Sequence, residues 1–152
     1  MRLSKNLTLA ECTKSITASR HGIDNTPSEA VIHKLKKTAE KVFQPVRDNF
    51  DVPIYVSSGY RSRKLNRIVK GSKNSQHVKG EALDLDADVF KGITNKDIFD
   101  YIKDNLEFDQ LIWEFGDSSS PDWVHVSYAE PCRKEVLRAY RDTYGVFYEP
   151  YL

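Results

Sequence analysis

Two short stretches bring imidazoles and carboxylates together at spacings that suit a metal ion. The first is Ser75-Gln76-His77-Val78-Lys79-Gly80-Glu81-Ala82-Leu83-Asp84-Leu85-Asp86, where a histidine precedes a glycine turn and an alternating run. In a strand, Asp84 and Asp86 share one face because side chains alternate with period two, so spacing alone leaves both open as ligands. The second is Trp123-Val124-His125-Val126-Ser127, whose alternation aims His125 away from a valine face. A catalytic zinc ion takes three nitrogen or oxygen ligands from the protein and keeps its fourth position for water. Two histidines and one aspartate meet that requirement. Taken singly, each of these residues is commoner as a hydrogen-bonded structural group, so the weight rests on their combination. Of the other histidines, His33 lies within a lysine-rich helical run and His21 precedes Gly22, and both read as surface or capping residues.

These side chains need strands and helices to hold them. Thr8-Leu9-Ala10-Glu11 has the form of a capping box, in which a threonine hydroxyl and a glutamate satisfy each other's free backbone donors at a helix start. A second signal at Thr26-Pro27-Ser28-Glu29, with Thr26 as N-cap, opens the main helix, whose apolar stripe is Val31, Leu35, Ala39, Val42 and Val46. Pro45 is expected to end or kink that helix. The β-branched and aromatic run from Val52 to Ser57 reads as a strand broken by Gly59, followed by a short helix over 62–69 and a polar loop leading to His77. Residues 82–87 alternate as a strand, and Thr94 caps a helix running to Leu106. Strands over 110–115 and 123–128 flank the turn-rich Gly116-Asp117-Ser118-Ser119-Ser120-Pro121, which predicts a hairpin. The sequence therefore predicts an α+β fold, one domain over residues 1–152, with helices packed on a small antiparallel sheet.

The whole-chain properties narrow the function. A chain of 152 residues, 39% hydrophobic, is long enough to bury a core without disulfides. Its 23 basic and 22 acidic residues leave a net charge of +1, no polyelectrolyte field for nucleic acid or an anionic membrane. Cys12 and Cys132 form no CxxC, which excludes a redox motif and a zinc ribbon, and free thiols are expected. Met1 to Thr8 lacks the apolar core of a signal peptide and no run approaches the ~20 apolar residues of a membrane span. Nothing resembles a coiled-coil seam, and a monomer is expected.

Together with Ser57-Ser58-Gly59-Tyr60-Arg61-Ser62 and Leu65-Asn66, the two metal-type stretches resemble the zinc D-alanyl-D-alanine carboxypeptidase family, whose fold is shared with the amino-terminal domain of Hedgehog proteins. That family includes cell-wall carboxypeptidases, D,D-dipeptidases and phage endolysins that cut peptidoglycan stem peptides. The family pattern S-x-H-x-x-G-x-A-x-D falls on Ser75, His77, Gly80, Ala82 and Asp84, so the resemblance selects Asp84 over Asp86 and adds His125 as the second histidine ligand, for one zinc per chain.

The resemblance further implies zinc-assisted amide hydrolysis. Arg61 would polarise the scissile carbonyl or stabilise its oxyanion, with Ser75, Gln76 and Tyr60 as substrate contacts. Two acids compete for the general base: Asp122, three positions before His125, and Glu114, at the end of the preceding strand. Either could instead merely orient a ligand histidine. The expected partner is a peptidoglycan stem peptide, and the missing signal peptide points to a phage-lysin-like or virion-associated enzyme that meets the cell wall after release. The rival expectation is a silent zinc-binding module of the same fold, serving in recognition or structure.

Overall fold

A computed structural model describes all residues, 1–152. The chain opens with a two-stranded ribbon, β1 (Arg2–Ser4) and β2 (Leu7–Thr8), and three helices, α1 (Leu9–Thr13), α2 (Ile16–Arg20) and α3 (Glu29–Thr38). The Thr8–Glu11 capping box forms as the sequence predicts, with Thr8 Oγ1 accepting from Glu11 N at 3.2 Å. The main helix begins two residues later than expected. Ser28 is its N-cap, because Thr26 N is already engaged by Asp24 Oδ1 at 2.9 Å in a local turn.

Pro45 neither ends nor breaks the run. A π-helical turn, Ala39–Phe43, follows α3 and leads into α4 (Gln44–Phe50), which places Pro45 in the first turn, where its missing N–H is tolerated. The rest of the chain is β3 (Tyr55–Ser58), α5 (Arg63–Ile68), β4 (Ala82–Asp86), α6 (Asn95–Asn105), β5 (Gln110–Glu114), β6 (Trp123–Ser127), β7 (Glu135–Asp142) and β8 (Gly145–Pro150). A second capping box, Thr94 with Asp97, starts α6. No helix is long and apolar enough to cross a membrane.

The six longer strands form one sheet in the order β3-β4-β6-β5-β7-β8. The expected hairpin of β5 and β6 is present, and every neighbouring pair is antiparallel except β5 and β7, which run parallel and make the sheet mixed. The chain between β6 and β7 crosses back past the start of β5, where Glu135 N donates to Asp109 O at 3.0 Å, so β7 enters beside β5 in the same direction.

Helices cover one face of the sheet. Leu83, Leu85, Leu111, Trp113, Val124 and Val126 project from it into a core of 21 buried residues, shared with Leu35, Val42, Phe43, Phe99 and Ile102 of the helices. Fully burying a side chain of this kind is worth about 1.5–3 kcal/mol, so the strand alternation fixes which side is covered. The opposite face, carrying Asp84, His125, Ile112 and Glu114, is left for chemistry. Cys12 and Cys132 are free, and burial pushes the Cys12 thiol up to about 12, leaving an unreactive core residue.

Candidate active site

Strand register sets the centre of the site. Asp84 of β4 lies directly opposite His125 of β6, which in turn lies opposite Ile112 of β5, so their side chains stand side by side on the face away from the apolar core. His77 arrives from the loop before β4. Its backbone is held by two close approaches: Arg61 N donates to His77 O at 3.1 Å, and Gly80, at φ +76°, lies so near α3 that a Cβ there would sit 2.8 Å from Val31 Cγ1. The Gly80 carbonyl accepts from Thr38 Oγ1 at 3.2 Å. Residues 75–81 thus form a compact turn nailed to the main helix.

The His77 ring is oriented from behind. Its Nδ1 donates to the Gly59 carbonyl at 2.7 Å, which fixes the tautomer and leaves Nε2 with a free lone pair. Gly59 can bring its carbonyl there only because it has no side chain, since a Cβ would lie 2.4 Å from Cys12 O. His77 Nε2 is 3.2 Å and His125 Nδ1 3.1 Å from the same oxygen, Asp84 Oδ1.

One donor atom from each of these three residues lies within 4.8 Å of the others. Burial opposes ionisation of Asp84, but the adjacent His77 and His125 outweigh it and hold the carboxyl well below the usual carboxylate range. An ionised aspartate and two imidazoles, one with its tautomer set, are a donor set that fits a divalent zinc ion. His125 Nε2 is buried without a hydrogen-bond partner.

Glu114 stands two residues along β5 from Ile112, on the same face, and is only 7% exposed. Burial raises its carboxyl to about 7; His125 and Arg141 pull the other way and Asp84 pushes it further up. Asp122, the other candidate acid, is exposed and does not line the cleft. Its backbone closes the turn instead, with its N–H donating to Glu114 O at 2.9 Å and its carbonyl accepting from the buried Asn95.

The cleft above these groups has a volume of about 660 Å³, within the range of small-ligand sites. Arg61 lines it, with Nη2 donating to Ser75 Oγ at 3.3 Å and a buried Nε without a partner. Burial lowers the Arg61 pKa, against the opposing effect of Asp84. Ser75 and Gln76 also line the cleft, and Gln76 Nε2 is tied to Asp109 at 2.8 Å. Tyr60 does not. It packs against the core, with its N–H donating to Cys12 O and its carbonyl accepting from Asn25.

The structure adds a wall that no motif announces. Leu137 and Arg141 of β7 and Val146 and Tyr148 of β8 line the same cleft, and Arg133 stands at its edge, clamped by two side-chain bonds of 2.9 and 2.8 Å to the buried Asp109. The signals available in the sequence were the turn residues Asp142 and Gly145 between two runs containing Val136, Leu137 and Tyr140 on one side and Val146, Phe147 and Tyr148 on the other.

Buried histidines and an ionised aspartate at the foot of a cleft, with a spare carboxylate beside them, define the class as metal-dependent hydrolases. The family model for peptidase M15 matches residues 5–127, and the chain belongs to that family. It is therefore a metallopeptidase of a zinc-dependent kind, with an α+β fold consistent with the family. A comparison with curated proteins gives no match.

Proposed function

We propose that this protein is a zinc metallopeptidase that hydrolyses peptide bonds in the stem peptides or cross-links of peptidoglycan, as a D,D-carboxypeptidase or an endopeptidase of the endolysin type. The observation that carries the reading is the convergence of His77, Asp84 and His125 beneath a cleft that also buries one further carboxylate, Glu114.

His77 through Nε2, Asp84 through its carboxylate and His125 would hold the ion. Zinc bound there supplies positive charge that polarises the scissile carbonyl and acidifies a water molecule. Glu114 is the general base. Its carboxylate takes a proton from the attacking water as oxygen bonds to the carbonyl carbon, then returns it to the amine nitrogen as the C–N bond breaks. Burial favours this choice over Asp122, because a base near neutrality is matched to both halves of that transfer, whereas Asp122 faces solvent. Arg61 presents a fixed guanidinium to the carbonyl oxygen as negative charge develops there. Ser75 and Gln76, held by Arg61 and Asp109, contact the peptide along the cleft.

A phage-lysin-like or virion-associated enzyme, acting on the wall after release from the cytoplasm, agrees with this reading. The test is digestion of purified peptidoglycan with and without chelator, reading released fragments by mass spectrometry. Chelator-sensitive fragments would name the bond cut. Zinc binding without cleavage of any stem peptide would instead make the chain a silent binding module.

A further inference from the structure

The cleft wall formed by β7 and β8 lies outside the residues that match the family model, which end at 127. Register places its side chains with little freedom. Glu114 of β5 pairs with Ala139 of β7, and Ala139 pairs with Tyr148 of β8, so the three form one row across the sheet on the metal-site face. Strands in a sheet are about 4.8 Å apart, which puts the Tyr148 backbone roughly 10 Å from that of Glu114. The residue between them is the smallest side chain after glycine and is fully buried, 0% exposed, although it stands on the metal-site face of the sheet. Long side chains span diagonal and next-neighbour distances of this order, so Tyr148, 53% exposed, is within reach of the space above Ala139. Tyr148 lines the cleft with Glu114, Asp84 and His125. Arg141, two register pairs further along and on the same face, is occupied by the Phe115 ring, 4.1 Å away.

We infer that Tyr148 is a catalytic residue of this enzyme, its phenol hydroxyl reaching across Ala139 to donate a hydrogen bond to the scissile carbonyl oxygen opposite Glu114. This assignment rests on the peptidase reading above. No proton is transferred to or from the phenol, which is protonated at neutral pH and serves as a donor throughout. The bond strengthens as negative charge develops on the oxygen, so it contributes to turnover more than to substrate binding. Ala139 acts as a positioning residue by leaving the space through which the ring leans.

The experiment compares wild type, Tyr148→Phe and Ala139→Leu, all zinc-loaded, on peptidoglycan stem peptides. Tyr148→Phe is expected to lower kcat by about ten- to a hundredfold with KM and zinc content unchanged, and Ala139→Leu to lower kcat similarly by displacing the ring. Equal kcat in wild type and Tyr148→Phe would overturn the assignment while leaving the peptidase reading intact. If wild type cuts no stem peptide, the peptidase reading fails by itself, and calorimetric binding of a phosphinate dipeptide, which mimics the tetrahedral state, still decides Tyr148. About tenfold weaker binding by Tyr148→Phe supports the assignment; equal binding, or none by either protein, overturns it.

Discussion

Glu114→Gln should separate the stability of this protein from its activity, and the structure gives the size of both effects. The carboxyl is lifted from an ordinary 4.5 to about 7, chiefly by burial. At about 1.36 kcal/mol per tenfold change, keeping it ionised in the folded, metal-free protein costs on the order of 3 kcal/mol. The sign follows from which state holds the proton more tightly. Below about pH 4.5 the carboxyl is protonated both folded and unfolded, so the glutamine variant and wild type should match. As pH rises through about 7 the wild type loses this contribution, because only its folded state resists ionisation, whereas the neutral amide has nothing to lose. The metal-free variant should therefore be more stable than wild type at pH 8.5, by as much as about 3 kcal/mol, and no more stable at pH 4. Urea unfolding in chelator at the two pH values reads this directly. With zinc restored, the same variant should retain the metal yet lose about 10²–10⁴ in turnover, the usual worth of a general base. An unfolding midpoint that changes equally at both pH values, or full turnover without the carboxylate, would refute the reasoning.

Three further outcomes are expected. Asp122→Asn, whose side chain is exposed, should leave turnover within a few-fold of wild type in the same assay. Gly59→Ala forces a Cβ against the Cys12 carbonyl, so the strand end must shift; the Gly59–His77 bond should suffer, and zinc affinity should fall about 10–100-fold by competition with a chelator. Arg133 holds the Asp109 carboxyl at about 2, below its ordinary 3.8, so this pair stabilises the fold above about pH 4 and is lost as pH falls toward 2; Asp109→Asn should flatten that part of the stability profile, seen in thermal melts between pH 2 and 5.

Local chemistry made much of this molecule legible. The capping box at Thr8 and the N-cap at Thr94 mark real helix starts, and period-two alternation assigns Asp84 and His125 to the side of each strand away from the apolar core. The match of Asp84 to His125 is different in kind, since it depends on pairing residues 41 positions apart and no local signal encodes it. The continuation of the main helix through Pro45 was hidden because a π-helical turn, not a residue type, accommodates the ring. The parallel entry of β7 depends on where the connection from β6 is anchored, at Asp109 and Arg133, and those contacts are tertiary. Burial separates Glu114 from Asp122: both are acids near strand ends, and only the fold turns one inward and the other to water.

Metal stoichiometry of wild type, His77→Ala and His125→Ala, measured by elemental analysis on protein purified and re-equilibrated with limiting zinc, tests the central claim most directly. About one zinc per wild-type chain is expected, with each alanine variant losing the metal and peptide cleavage together while keeping its folded far-ultraviolet signature. Folded wild type that binds no zinc, or alanine variants that keep it, would contradict the account.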